Sequence, residues 1–189
     1  MENCQPKNDS PEIILRMENI YKSFPGGVHA NRGVNLEVQQ GEIHCLLGEN
    51  GAGKTVLMSI LYGLYKPDSG CITYKNEILD IHSPKDSIKH RIGMVHQHFM
   101  LVETLTVVEN IILGQYKPWK TLNNLDPVIN TIKQMSKDYG LNVNPLSLVQ
   151  DLSVGEQQRV EILKVLYHGA DLLNLDEPTA VLTPQESEH

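Results

Sequence analysis

The chain has 189 residues, 40% of them hydrophobic and 21% charged, with a formal net charge of −7. That length can bury a substantial core in one domain, and the composition is that of an ordinary soluble globular protein. The acidic balance, with no basic stripe, argues against nucleic acid as a partner, and no run approaches the roughly 20 apolar residues a membrane span needs.

Met1 to Pro11 reads as a flexible leader, polar over its first ten residues and without the apolar centre of a signal peptide. Cys4, Cys45 and Cys71 are odd in number and widely spaced, which suggests neither a disulfide framework nor a zinc site and fits a reducing compartment. Ile13-Ile14-Leu15 and then Tyr21 to Phe24 predict β structure before the turn Pro25-Gly26-Gly27. Val34, Leu36 and Val38 alternate with polar residues, so a half-buried strand is expected there. Gln40-Gly41 then turns the chain into an apolar run, Ile43 to Leu47, expected to be a buried strand with Cys45 as a small core residue.

This strand should deliver Gly48-Glu49-Asn50-Gly51-Ala52-Gly53-Lys54-Thr55, which has the form G-x-x-x-x-G-K-T of a phosphate-binding loop. Val56, Leu57, Ile60, Leu61 and Leu64 supply a helical apolar face directly afterwards, so loop amides and the positive helix end should converge on one anion. Glycine lets the backbone approach phosphates without a Cβ in the way. Lys54 would reach the β- and γ-phosphates and the Thr55 hydroxyl would ligate Mg²⁺, with Gly48 through Val56 as the expected nucleotide-binding stretch. The competing reading, a glycine-rich turn without a ligand, has no use for the lysine and threonine.

The helix from Gly53 should end near Tyr62, before Gly63, Pro67 and Gly70. Cys71 to Tyr74 and Glu77 to Ile81 predict a hairpin about Lys75-Asn76, and Ser83-Pro84 can start a short helix. Ile92 to His96 predicts a strand ending at Gln97. His96 and His98 flank that glutamine but offer too few ligands for a metal site. Helical spacing follows over Thr104 to Leu113. Trp119 reads as a loop anchor, and a helix opens at Asp126-Pro127 with Val128, Ile129, Ile132 and Met135 on its apolar side and Gly140 at its end. Leu152 to Gly155 leads into a helix to about Tyr167, with Ile162, Leu163 and Leu166 inward, and Gly169 closes it. Asp171 to Leu175 predicts the last strand. Strands alternating with helices indicate an α/β fold with a largely parallel sheet.

The last strand ends in Asp176-Glu177. A carboxylate there can hold Mg²⁺ through Asp176, usually by way of a water, while Glu177, on the opposite face, can polarise a water for in-line attack on a γ-phosphate. An acidic pair on a solvated strand end is the bland alternative, and the upstream loop weakens it.

Taken together these motifs resemble the ABC ATPases. Leu152-Ser153-Val154-Gly155-Glu156-Gln157-Gln158 resembles the family's signature L-S-G-G-Q, Gln97 occupies the place of its Q-loop glutamine, and Asp176-Glu177-Pro178-Thr179 resembles the end of its Walker B strand. Phe24, 24 residues before Gly48, fits the aromatic position that stacks on adenine. The stretches from Gly93 to Leu101, Val160 to Lys164 and Pro178 to Glu186 look like the first ATPase cassette of simple-sugar and nucleoside importers, in which two cassettes are usually fused.

The resemblance implies a P-loop NTPase cassette over residues 12–189, mostly parallel in its sheet, with an antiparallel β subdomain and a helical subdomain at about 98–168. It implies ATP and Mg²⁺ as cofactors, with Thr55, Gln97 and Asp176 toward the metal and Glu177 and Gln97 toward the attacking water. It also implies that Leu152, Ser153, Val154, Gly155, Glu156 and Gln157 face the γ-phosphate of ATP held by a second cassette, fused or separate. Transmembrane permease subunits, docking near His98 to Leu113, and an extracytoplasmic solute-binding protein would be the other partners, which places the chain peripherally on the cytoplasmic face of the membrane.

The sequence departs from the pattern at several places. Asn174 interrupts an apolar strand, Thr183 stands where many cassettes have the D-loop aspartate, and Val154 replaces a signature glycine. No residue matches the family's switch histidine, since His189 follows Glu177 by only 12 residues. The expectation is therefore a C-terminally truncated cassette lacking its last strands. Two other readings remain open: a truncated module that binds nucleotide or a partner without turnover, and a soluble ABC protein of translation or DNA repair. The 56-residue separation between Gln97 and Ser153 counts against the last.

Overall fold

The computed structural model describes residues 13–97, 99–114 and 125–176. They form two compact units, one up to His90 and one from Arg91.

In the first unit β1 (Ile13–Phe24) and β2 (Val28–Gln39) form a long antiparallel pair. Leu15 and Met17 are buried on one face of β1, and Ile20 rejoins that face after a register shift at Asn19, whose φ is +51°. An extra residue there restores inward phase after the alternation slips. Leu36 and Val38 of β2 are buried in the expected alternation. On the other side of β1 lies β3 (Ser69–Tyr74), followed by β4 (Glu77–Leu79), giving the order β2-β1-β3-β4. Lys75 and Asn76, both at positive φ, make the two-residue turn of the predicted β3–β4 hairpin.

Helix α1 (Lys54–Leu61) buries Leu57, Ile60 and Leu61 and stops at Gly63, whose φ is +82° and where a Cβ would strike the Ser83 carbonyl. Helix α2 (Pro84–Lys89) is tied to the end of α1 by the buried Ser87 hydroxyl, which donates to the Leu61 carbonyl at 3.0 Å. Ser83 occupies the N-cap of α2, but its hydroxyl bonds the Asp86 carboxylate rather than a backbone amide. That bond, with Lys89 and the His82 amide, holds the Asp86 carboxyl down at about 2.

Three sequence expectations fail in this unit. Ile43 to Leu47 takes no strand conformation; Ile43 is 95% and Leu47 91% exposed, and no strand among the unit's described residues pairs with the run. Cys45 is accordingly an exposed free thiol rather than a core residue. Cys71 is disulfide-bonded, which the wide spacing of the cysteines does not suggest.

In the second unit β5 (Ile92–Val95), buried throughout, pairs in parallel with β6 (Leu172–Leu175), Val95 opposite Leu175. These are the parallel strands among the described residues; the four-stranded sheet is antiparallel. Gly93 lies so close to Val165 that any side chain would collide with it. Helices α3 (Val107–Ile112), α4 (Asp126–Asp138) and α5 (Val154–Tyr167) enclose a core of Val107, Val108, Ile111, Ile132, Val160 and Leu163. Burying side chains of this size contributes about 1.5–3 kcal/mol each.

The inward face of α5 differs from the expected one. Glu161 is 3% exposed and accepts a 2.8 Å bond from the Met100 amide, while Ile162 and Leu166 are only half-buried. The carboxylate is in effect a bracket for the chain that follows β5, with Lys164 at 3.5 Å. Asn174, which interrupts the apolar pattern of β6, is buried opposite Met94. Leader residues 1–11, Trp119, His98 and everything from Glu177 onward lie outside the described residues.

Candidate functional site

The strongest chemistry in the first unit is the glycine-rich loop. Gly51 and Gly53 have φ of +83° and +87°, a backbone region that β-carbon-bearing residues rarely adopt, and Ala52 closes a turn onto the Glu49 carbonyl at 3.2 Å. Gly48 to Ala52 and Thr55 are exposed, so the loop is open to a ligand. Lys54 folds back over it, its ammonium donating to the carbonyls of Gly48 at 2.7 Å and Glu49 at 2.9 Å. One cation is thereby fixed above the turn, at the N-terminus of a two-turn helix whose first amides carry partial positive charge. Loop, lysine and helix end together make a chemically sound cradle for a polyphosphate.

The loop is braced from β2. Gly53 is the N-cap of α1, and a Cβ there would overlap the Ala30 carbonyl, so only glycine lets strand and loop approach this closely. The neighbouring Asn31 donates its amide to the Gly53 carbonyl at 3.2 Å, and the same carbonyl accepts from the Leu57 amide at 2.9 Å. Sequence reading missed Asn31. Its burial to 3% exposure follows from contact with a residue 22 positions away, and no local periodicity marks it.

Phe24 ends β1, two residues beyond Lys22, which pairs with Asn31. Its ring is held edge-on by Tyr65, with centroids 5.2 Å apart at 78°. The Lys22 ammonium lies 5.7 Å from the Phe24 centroid and is itself fixed by the Lys66 carbonyl and Asp68. Bonds from Lys22 and the Ser23 amide lower the Asp68 pKa.

In the second unit Gln97 and Asp176 follow the carboxyl ends of the neighbouring parallel strands β5 and β6. The Asp176 amide donates to the Val95 carbonyl at 3.1 Å, extending the ladder one step past β6. Parallel sheets characteristically bind ligands at that edge. Glu177 is outside the described residues.

Ser153 is the N-cap of α5. Its hydroxyl accepts from the Glu156 amide at 3.3 Å while Glu156 returns a 2.8 Å bond to the Ser153 amide, a complete capping box. Such a cap contributes about 0.5–2 kcal/mol. A hydroxyl that accepts here still has its O–H to donate, so capping and contact with an external phosphate oxygen are compatible. Gln157 is anchored through its amide to the Leu152 carbonyl at 3.1 Å, Gly155 is buried in the first turn of α5, and Val154 is 42% exposed at its tip. The structure thus gathers Gly48 to Val56 with Phe24 in one unit, and Gln97, Asp176 and the Leu152–Gln157 stretch in the other.

Residues 31–180 match the model of the ABC transporter family. The guanosine import ATP-binding protein NupO of Bacillus subtilis (strain 168) is 54% identical over 177 residues, covering 93% of this chain and 34% of the relative. The galactose/methyl galactoside import ATP-binding protein MglA of Escherichia coli (strain K12) is 39% identical over 180 residues, 95% of this chain and 35% of the relative. The chain therefore spans about a third of the length of the curated relatives it matches. Among solved structures, a nucleotide-free ATP-binding cassette from an ABC transporter superposes with a TM-score of 0.80 at 25% identity, over 93% of this chain and 73% of the other. The ADP conformation of MJ1267, an ATP-binding cassette of an ABC transporter, superposes with a TM-score of 0.81 at 26% identity over the same shares.

Proposed function

The chain belongs to the ABC transporter family, and from that membership we propose that it binds and hydrolyses ATP to drive import of a simple sugar or nucleoside. The observation that carries this reading is the Gly48–Thr55 loop, with Lys54 held above its glycine turn at the start of α1. Sugar and nucleoside importers among the relatives support the substrate class.

The loop holds the α-, β- and γ-phosphates through backbone amides from Gly48 to Val56 and the Lys54 ammonium, and Phe24 offers its ring to the base. Mg²⁺ would neutralise phosphate charge; Thr55 in the first unit and Gln97 and Asp176 in the second offer hydroxyl, amide and carboxylate oxygens, the hard donors that ion prefers. Glu177 takes the proton of the attacking water and Gln97 orients that water. Ser153 donates its free O–H, with the amides of the α5 N-terminus, to the γ-phosphate of ATP held by a second cassette. Residues at about 98–168 form the helical subdomain, which meets the permease subunits near His98 to Leu113 and places the chain on the cytoplasmic face of the membrane.

The test is reconstitution of the full-length protein with its permease subunits in lipid vesicles. Phosphate release from Mg·ATP should rise severalfold when a sugar- or nucleoside-loaded binding protein is added, because energy coupling links the two sites. A rate indifferent to permease and binding protein alike would overturn the import reading.

A further inference from the structure

Asn31 is an odd residue to find inside this unit. It is 3% exposed, its Oδ1 meets no donor among the described residues, and its Nδ2 makes one bond, to the carbonyl of Gly53. A buried amide oxygen without a partner destabilises a fold, and an aliphatic side chain of similar shape would carry no such penalty. Nor does the Gly53 carbonyl need Asn31 for its own sake, since the Leu57 amide already satisfies it at 2.9 Å. The amide is thus dispensable for hydrogen-bond satisfaction and costly for stability.

What it does uniquely is fix the orientation of one peptide. The Gly53 carbonyl belongs to the Gly53–Lys54 peptide, so a lateral bond from β2 holds the plane whose amide is the Lys54 N–H. That plane is the junction between the phosphate loop and α1, at a glycine with φ of +87° that has no side chain to steady it. The Ala30 carbonyl packs against Gly53 from the same strand, so backbone and side chain of β2 form a two-point brace.

We infer that Asn31 is a positioning residue for nucleotide binding: it pre-orients the Gly53–Lys54 peptide, and with it the start of the Lys54 side chain, toward the phosphates. This rests on the phosphate loop being the nucleotide site, as proposed above. Pre-orientation raises affinity by removing an ordering cost at the moment of binding.

The role makes affinity and stability move in opposite directions. Asn31→Leu removes the brace and the orphaned oxygen together and leaves the Gly53 carbonyl bonded within α1. Its ATP affinity should fall about threefold to tenfold, the scale of one hydrogen bond, while its melting temperature equals or exceeds that of the wild type. Asn31→Asp supplies a second readout. An ionised carboxylate cannot donate to the Gly53 carbonyl, but the protonated acid can, and burial raises the pH at which it protonates. Its ATP affinity relative to wild type at each pH should therefore recover as pH is lowered from about 8 to about 5.5.

The experiment is equilibrium titration of the three chains with Mg·ATP across that range, with thermal melts alongside. Wild-type affinity in Asn31→Leu, or a parallel loss of affinity and melting temperature, would overturn the role in favour of plain packing. So would an Asn31→Asp deficit that does not change with pH. A wild-type chain that binds no nucleotide overturns the proposed function itself, and this role with it.

Discussion

Glu177→Gln lowers phosphate release from Mg·ATP by about 10²–10⁴-fold, the usual contribution of a general base, while ATP affinity stays within about twofold of wild type. The Asp176 amide donates to the Val95 carbonyl, which carries the ladder one step past β6 and sets Asp176 at the carboxyl edge of the parallel pair, directly before Glu177 in the sequence. The proposed function gives Asp176 and Glu177 separate jobs, one toward Mg²⁺ and one toward water. Glutamine keeps the length and polarity of the side chain but cannot accept the proton of the attacking water. Single-turnover phosphate release beside an equilibrium titration separates the two quantities. If both fall together, Glu177 contributes to binding, and the base lies elsewhere. If neither chain releases phosphate above background, the chain binds nucleotide without turnover.

Lys54→Ala weakens ATP binding by about 10–100-fold, the loss expected when a charge-assisted contact worth roughly 1.5–3 kcal/mol disappears. Among the described residues the ammonium has no carboxylate partner; it rests on two loop carbonyls, those of Gly48 and Glu49. A phosphate oxygen offers a full negative charge in exchange for those dipoles, which favours binding. Both acceptor residues lie on an exposed loop, so truncation leaves their carbonyls to water and the melting temperature close to that of the wild type. Lys54→Arg should recover only part of the affinity, because a planar fork does not reproduce a compact point charge beside a tight glycine turn. Titration calorimetry on the three chains checks the order wild type, arginine, alanine.

Local chemistry is what the sequence showed well. Gly53-Lys54-Thr55 fixed the start of α1 and Gly63 its end. Lys75-Asn76 marked the hairpin, and Leu152 to Gly155 marked the entry into α5. Each is a signal carried within a few residues. The failures are all tertiary. Ile43 to Leu47 has strand composition, but an apolar run becomes a strand only beside another strand, and none among its unit's described residues pairs with it. Ile13–Leu15 and Tyr21–Phe24 carried the local β signal of β1, but nothing in them marked the bulge at Asn19 that breaks its alternation. The expected inward face of α5 left out Glu161, which is buried and accepts from the Met100 amide, 61 residues away. Asn31 escaped for the same reason as Glu161: its partner, Gly53, is distant in sequence, and a lone polar residue before the alternating run from Val34 gives no warning of burial. At the site, then, the sequence named the residues that would touch phosphate and left out those that hold them in place.

The central claim is that the Gly48–Thr55 loop is a polyphosphate site, and titrating the purified chain with ATP, ADP and AMP at constant Mg²⁺ tests it most directly. ATP and ADP should bind within about tenfold of each other and AMP at least about 100-fold more weakly than ATP, since loop amides, helix end and Lys54 act on the phosphates beyond the first. Equal affinity for all three nucleotides, or binding of none, would contradict it.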